Sequence, residues 1–177
     1  MEKTINPAEV NRIARSFGLD LRKHSDRIIS NSYKFYPVTM SADEVVRIFK
    51  AKTGVNYVGT ADRIYKIIKK SDWDAILEVP FIKVLGYTPE LNDCDNHAFG
   101  FACETGRLFG INSAFVAYGE YIKGTFKNMH YWNVVLAYDE NNLLQCYTIE
   151  PQRSEIVKFG ETINGATYRL NKITMGF

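Results

Sequence analysis

Asp93-Cys94-Asp95 opens a segment with helical spacing, and His130 stands 36 residues after Cys94 at the start of an apolar run with strand character. The run that would pair with it ends in Glu150. A thiol in the first turn of a helix, with an imidazole and a carboxylate on neighbouring strands, is the combination that makes a nucleophilic cysteine. Free backbone N–H groups and the positive end of the helix dipole favour a thiolate there. In this reading Cys94 attacks a carbonyl carbon, His130 shuttles the proton and Glu150 orients the imidazole. Oxyanion donors come from N–H groups at the helix start, with Asn92 or Gln152 as side-chain candidates, although Gln152 follows a proline and equally suits the surface. Asp93 and Asp95 oppose a thiolate by charge repulsion, so they read better as helix caps or cation ligands.

The elements that must position these residues follow from ordinary local grammar. The helix from about Asp93 to Leu108 carries Cys94, Ala98, Phe101, Thr105 and Leu108 on one face and stops near Gly110. Gly100 in its middle costs about 1 kcal/mol relative to Ala, which close packing of this helix on a sheet would offset. Ala114 to Tyr118 and Tyr131 to Tyr138 read as strands, Asp139 to Asn142 as a hairpin connection and Leu143 to Glu150 as the return strand. That register brings His130 and Glu150 to the same end of the sheet, on strands about 5 Å apart. Ile156 to Lys158 and Thr167 to Met175 supply further strands.

The first half reads as helical. Asn6-Pro7 starts a helix to about Phe17, and Ser41-Ala-Asp-Glu44 is a capping box before Val45, Val46, Ile48 and Phe49, with Gly54 as the stop. Thr60-Ala-Asp62 starts a short helix through Ile68, and Ser71-Asp-Trp73 another towards Leu77. Tyr33 to Thr39 is a short extended piece, and Pro80, Gly86 and Pro89 mark a loop leading to Asp93. The fold class is therefore α+β in a single domain over 1–177, with 1–86 mainly helical and 87–177 forming the key helix and an antiparallel sheet.

Composition narrows the classes of function. The chain has 177 residues, 46% hydrophobic, enough for one full-sized core. Its 22 basic and 20 acidic residues are interspersed, so nucleic acid is not an expected partner. No apolar run approaches the roughly 20 residues of a membrane span, and no secretory signal is legible, so a cytoplasmic or virion-associated protein is expected. Cys94, Cys103 and Cys146 do not form a disulfide framework. Oligomeric state is not legible.

Three segments in order carry a family resemblance: Asp93-Cys94-Asp95-Asn96 before an alanine-containing helix, His130-Tyr-Trp-Asn133, and Ile149-Glu150-Pro151-Gln152. Together they resemble the papain-like, transglutaminase-like cysteine peptidases, nearest to the C-terminal protease domain of fungal chimeric lectins and to stand-alone domains of bacteria and phages. The resemblance covers about Tyr87 to Gln152; the N-terminal helices match only in order and rough length. It implies a papain-like or transglutaminase-like architecture and a Cys94, His130, Glu150 triad. The implied activity is a cysteine-dependent peptidase or amidase working through a thioester on a protein, peptide or peptidoglycan-type amide. The resemblance also implies calcium, with Glu90, Asn92 and Asp95 at the ligand positions, although calcium takes six to eight oxygen ligands. No cofactor is needed for the chemistry itself. Asn96 stands where the family favours a second acid, and no lectin repeat is legible.

Other readings use the same residues. An amine acceptor in place of water would make the reaction a transglutaminase-type acyl transfer. Cys94 and His97 are three apart on one helix and, with His130 and Glu150, would complete a tetrahedral zinc site. A non-catalytic binding or structural domain could also keep the same cluster. Cys103 and Cys146 read as buried small hydrophobes, His97 and His24 as surface or structural, and Trp132 and Phe115 as core or cleft wall.

Overall fold

The computed structural model describes residues 33–79 and 93–176. The chain divides into two compact units, Met1–Lys34 and Phe35–Phe177, and the helices and strands named below all belong to the second. The helix expected from Asn6 and the loop marked by Pro80, Gly86 and Pro89 lie outside the described residues, as do Glu90, Asn92 and His24.

Strand β1, Val38–Ser41, leads directly into helix α1, Ala42–Thr53. Ser41 caps α1 as its sequence predicts, its Oγ accepting from the Glu44 N–H at 3.3 Å, and Gly54 closes it in the left-handed conformation at φ 71°. Val45 and Phe49 are fully buried, and the Phe49 ring meets Phe115 edge-on at 5.0 Å between centroids.

The segment from Thr60 to Ile68 is not a helix. It forms strand β2, Ile64–Lys69, antiparallel to β1. Two physical causes are visible. Tyr65 and Ile67 are buried on one side while Ile64 and Lys66 point out, the period of a strand rather than a helix. The Ala61 and Asp62 N–H groups, which a helix start would leave for a cap, both donate to the Tyr65 hydroxyl at 3.0 and 3.1 Å. Asn112 also binds β2, accepting from Lys66 N–H at 2.9 Å and donating to the Ile64 carbonyl at 2.8 Å. β2 runs straight into helix α2, Lys70–Leu77, where the Asp72 carboxylate accepts from the Lys69 N–H at 3.1 Å.

Helix α3, Cys94–Phe109, is followed by β3 (Phe115–Lys123), β4 (Phe126–Tyr138), β5 (Leu144–Glu150), β6 (Glu155–Lys158) and β7 (Thr167–Gly176). Among the described residues the strands form one seven-stranded sheet in the order β1-β2-β4-β3-β7, with β5 paired to β4 and β6 to β5. Within 87–177 the strands pair antiparallel, as expected, and the unexpected strand β2 joins them parallel to β4, pairing Ile68 with Ala137 and Lys69 with Tyr138. Helix α3 lies between β2 and β4 in sequence, and long crossovers of this kind are what a parallel pair requires. The coarse class, α+β, stands.

The β4–β5 hairpin turns as its residues dictate. Asp139 Oδ1 accepts from the N–H groups of Asn141 and Leu143 at 3.0 and 2.8 Å, and Asn142 takes the left-handed turn position at φ 58°. Opposite β4, Gly119 is required by packing: a Cβ there would stand 2.1 Å from the Arg169 carbonyl oxygen of β7 and 2.9 Å from the Trp132 ring. This close approach coincides with a register shift between Tyr118 and Gly119.

Candidate functional site

Helix α3 begins as its sequence requires. Asp93 is the N-cap residue, its own N–H donates to Asn96 Oδ1 at 3.4 Å, and the Asn96 N–H donates to Asp95 Oδ1 at 2.9 Å. Cys94 is the first helical residue and is half-buried. A hydrogen bond with Asp93 holds the Asp95 carboxyl below the usual carboxylate range against an opposing effect of burial. The flanking acids therefore serve the helix start.

The far end of α3 closes at Gly110, left-handed at φ 65°. Its inner face buries Ala98, Phe101, Ala102, Thr105 and Leu108. Burial of Phe101 and Leu108 contributes roughly 2 kcal/mol each, and Phe101 also packs on Trp73 of α2 at 6.0 Å. Asn133, fully buried on β4, donates to the Ala98 carbonyl at 3.0 Å and to the Phe115 carbonyl at 3.3 Å. One side chain three residues beyond His130 thus ties the cysteine-bearing helix to two strands.

His130 and Glu150 meet as the hairpin register predicts. The His130 Nε2 and Glu150 Oε2 atoms are 2.6 Å apart, with side chains 14% and 3% exposed. Glu150 is further held by the Tyr168 hydroxyl, which donates to Oε2 at 3.0 Å, and by the Gln152 backbone N–H, which donates to Oε1 at 3.3 Å. Cys94 is near enough to the ring to act on its titration by hydrogen bonding and by charge. Burial alone would lower the His130 pKa, but Cys94 and Glu150 together outweigh it and push the imidazole up to about 9. A ring so raised keeps its proton through neutral pH beside the Glu150 carboxylate.

Aromatic side chains fix the imidazole. Trp132 lies nearly parallel to it at 6.1 Å and 20°, while Tyr121 and Tyr168 contact it at 5.5 and 6.0 Å. Burial, then the Glu150 charge, raises the Tyr168 pKa well above the ordinary phenol value, so its hydroxyl stays a donor. Nearer Cys94, Tyr131 contacts Tyr118 at 4.6 Å and Phe99 at 6.1 Å.

Cys94, His130 and Glu150 are thus brought together, whereas several neighbouring expectations are corrected. Gln152 is exposed, and its backbone N–H donates to Glu150 Oε1 at 3.3 Å. Asn92, the other expected donor, lies outside the described residues. Of the two readings given to His97, surface or structural, burial on the inner face of α3 fits the structural one; burial lowers its pKa, while Glu150 and Asp93 act in the opposite direction. Cys103 is exposed, since it sits off the apolar stripe of α3. Cys146 is buried as expected, and burial pushes its thiol up to about 12. Gly100 does not mark close packing, as a Cβ there meets nothing within 4 Å.

Sequence reasoning missed Tyr168 and Asn133 as parts of the site. Both lie on strands whose alternation announces burial but not a hydrogen-bond partner. Among the described residues no group of three or more His, Cys, Asp or Glu side chains is arranged to hold a metal ion. This weighs against the zinc reading. Of the expected calcium ligands only Asp95 is described, and its Oδ1 accepts from the Asn96 N–H. No helix among the described residues is long and apolar enough to cross a membrane.

No family model matches the chain, and no curated protein matches it. Solved structures do share its fold. A structure described as the PSL1a-E64 complex matches with a TM-score of 0.57 at 16% identity, over 78% of this chain and 50% of the other. Polyporus squamosus lectin, bound to the human-type influenza-binding epitope Neu5Aca2-6Galb1-4GlcNAc, matches with a TM-score of 0.54 at 15% identity, over 67% of this chain and 45% of the other. The chain therefore spans about half the length of these neighbours.

These matches correct the identification made from sequence. The solved structures sharing the fold bear a lectin's name, so the assignment to the cysteine peptidase superfamily and to the protease domain of fungal chimeric lectins is withdrawn. With it go the activity as a peptidase or amidase, the classification as a hydrolase or acyltransferase, and the peptide or peptidoglycan-type substrate.

Proposed function

We propose that the chain is a ligand-binding domain that captures its ligand at Cys94, with His130 and Glu150 keeping the thiol reactive. The observation that carries this reading is the buried contact of 2.6 Å between His130 and Glu150, in a ring whose titration Cys94 also raises. A thiol so placed selects ligands that present an electrophilic carbon. The neighbours' descriptions support a binding role, since one is a complex with E64 and the other a lectin with a bound trisaccharide epitope. The finer architecture, a papain-like or transglutaminase-like seating of the helix on the sheet, is supported by Cys94 heading α3 and by Asn133 tying that helix to β4 and β3. The capture needs no cofactor, so chelation of calcium leaves it unchanged.

Intact-mass measurement tests the reading on wild type, Cys94→Ala and His130→Ala. Each protein is incubated with E64, with the Neu5Aca2-6Galb1-4GlcNAc trisaccharide and with a mixed peptide panel. The expected result is one E64 adduct per wild-type chain, lost in Cys94→Ala and slowed in His130→Ala, with the peptides intact. Peptide products that accumulate over many turnovers only when Cys94 is present would overturn a binding role. Absence of any Cys94 adduct, with trisaccharide binding unaffected by Cys94→Ala, would overturn the site.

A further inference from the structure

We propose that Tyr168 is a positioning residue for the site, its hydroxyl fixing the Glu150 carboxylate so that Glu150 in turn holds the His130 ring against Cys94. This deepens the reading of the Cys94, His130, Glu150 cluster and rests on it.

The geometry assigns this role to the hydroxyl rather than to the ring alone. The Tyr168 hydroxyl and His130 Nε2 converge on the same carboxylate oxygen, Oε2, at 3.0 and 2.6 Å. The other oxygen accepts the Gln152 N–H at 3.3 Å. Three donors arriving from β7, β4 and the turn after β5 leave the Glu150 carboxylate one orientation. A buried carboxylate requires such donors, because each lost partner leaves an unsolvated lone pair. Tyr168 keeps its proton to donate near neutral pH, since burial and the Glu150 charge oppose its ionisation. Its ring makes a second contribution, meeting Trp132 at 5.3 Å and Tyr121 at 5.5 Å, edge-on in both cases, around the imidazole. The placement is built into the sheet. Tyr168 pairs with Tyr121 of β3, and nearby the close approach at Gly119 seats β7 against β3.

Tyr168→Phe separates the two contributions, because it keeps the ring and removes only the donor. The readout is the His130 ring resonances followed by NMR from pH 5.5 to 10.5, alongside the rate of Cys94 alkylation by iodoacetamide. In alkylation the sulfur–carbon bond forms, iodide leaves, and the thiol proton is lost to solvent, since His130 already carries its proton at pH 7. Tyr168→Phe is expected to lower the His130 midpoint from about 9 by roughly one unit and to slow Cys94 alkylation at pH 7 about tenfold. A His130 midpoint unchanged from wild type would overturn the positioning role, whatever happens to the melting temperature. Should Tyr168→Phe fail to fold, wild type still decides. A resolved, slowly exchanging Tyr168 hydroxyl proton supports the role, and one averaged with water overturns it. Cys94→Ala distinguishes failure of the underlying reading: a His130 midpoint indifferent to Cys94 sinks the cluster, while the Tyr168 comparison still reports on Glu150.

Discussion

His130 is the residue on which the site's electrostatics turn. An imidazole this buried would ordinarily be neutral, and it carries charge here because Cys94 and Glu150 hold it up to about 9. The same shift is a statement about stability. Because the folded pKa lies above the ordinary value near 6.5, the contribution is fully present below about pH 6.5 and is lost as pH rises through about 9. Its size is at most about 3 kcal/mol. Urea denaturation of the wild type should therefore show a falling midpoint between pH 6.5 and 9.5. His130→Gln should be less stable at pH 6.5 and flat over that range. A wild-type midpoint constant across the interval would contradict the charged state of the ring.

Elements of the site were legible in sequence to the extent that their determinants are local. The Ser41 cap, the Gly54 and Gly110 stops and the Asp139 turn each depend on residues within one turn of chain, and all stand where the sequence puts them. The β4–β5 register followed from the hairpin, and with it the meeting of His130 and Glu150. β2 was missed because Thr60-Ala-Asp62 imitates a helix start, whereas the Ala61 and Asp62 N–H groups donate to the hydroxyl of nearby Tyr65, a partner that helix-cap grammar does not anticipate. Gly100 was misread for a related reason: a glycine in a helix signals either close packing or nothing, and only three dimensions distinguish them. The open space around it predicts that Gly100→Ala is stabilising, by about 1 kcal/mol from helix propensity. Thermal unfolding checks this, and a lower melting temperature would show that the position is packed after all.

At the scale of the whole molecule, the sheet order brings together residues far apart in sequence. β4 is flanked by β2, β3 and β5, and it carries both His130 and the Asn133 that ties down the cysteine-bearing helix. Beyond the β4–β5 hairpin, the pairings of β2 with β4 and of β7 with β3 were not legible, since those strands reach their neighbours across α3 and across the intervening hairpins. The family assignment failed at this scale as well. Three short motifs in order describe a cluster of side chains, and a cluster does not name the activity of the fold that carries it. The fold is shared with structures bearing a lectin's name, of which this chain spans about half. The account therefore stands on the reactivity of one thiol among three. Competitive labelling of the native protein with limiting iodoacetamide at pH 7, read by peptide mass mapping, tests it most directly. Cys94 should be labelled at least tenfold faster than the exposed Cys103, with buried Cys146 unlabelled, and His130→Ala should abolish the preference. Equal labelling of Cys94 and Cys103 in the wild type would contradict the account.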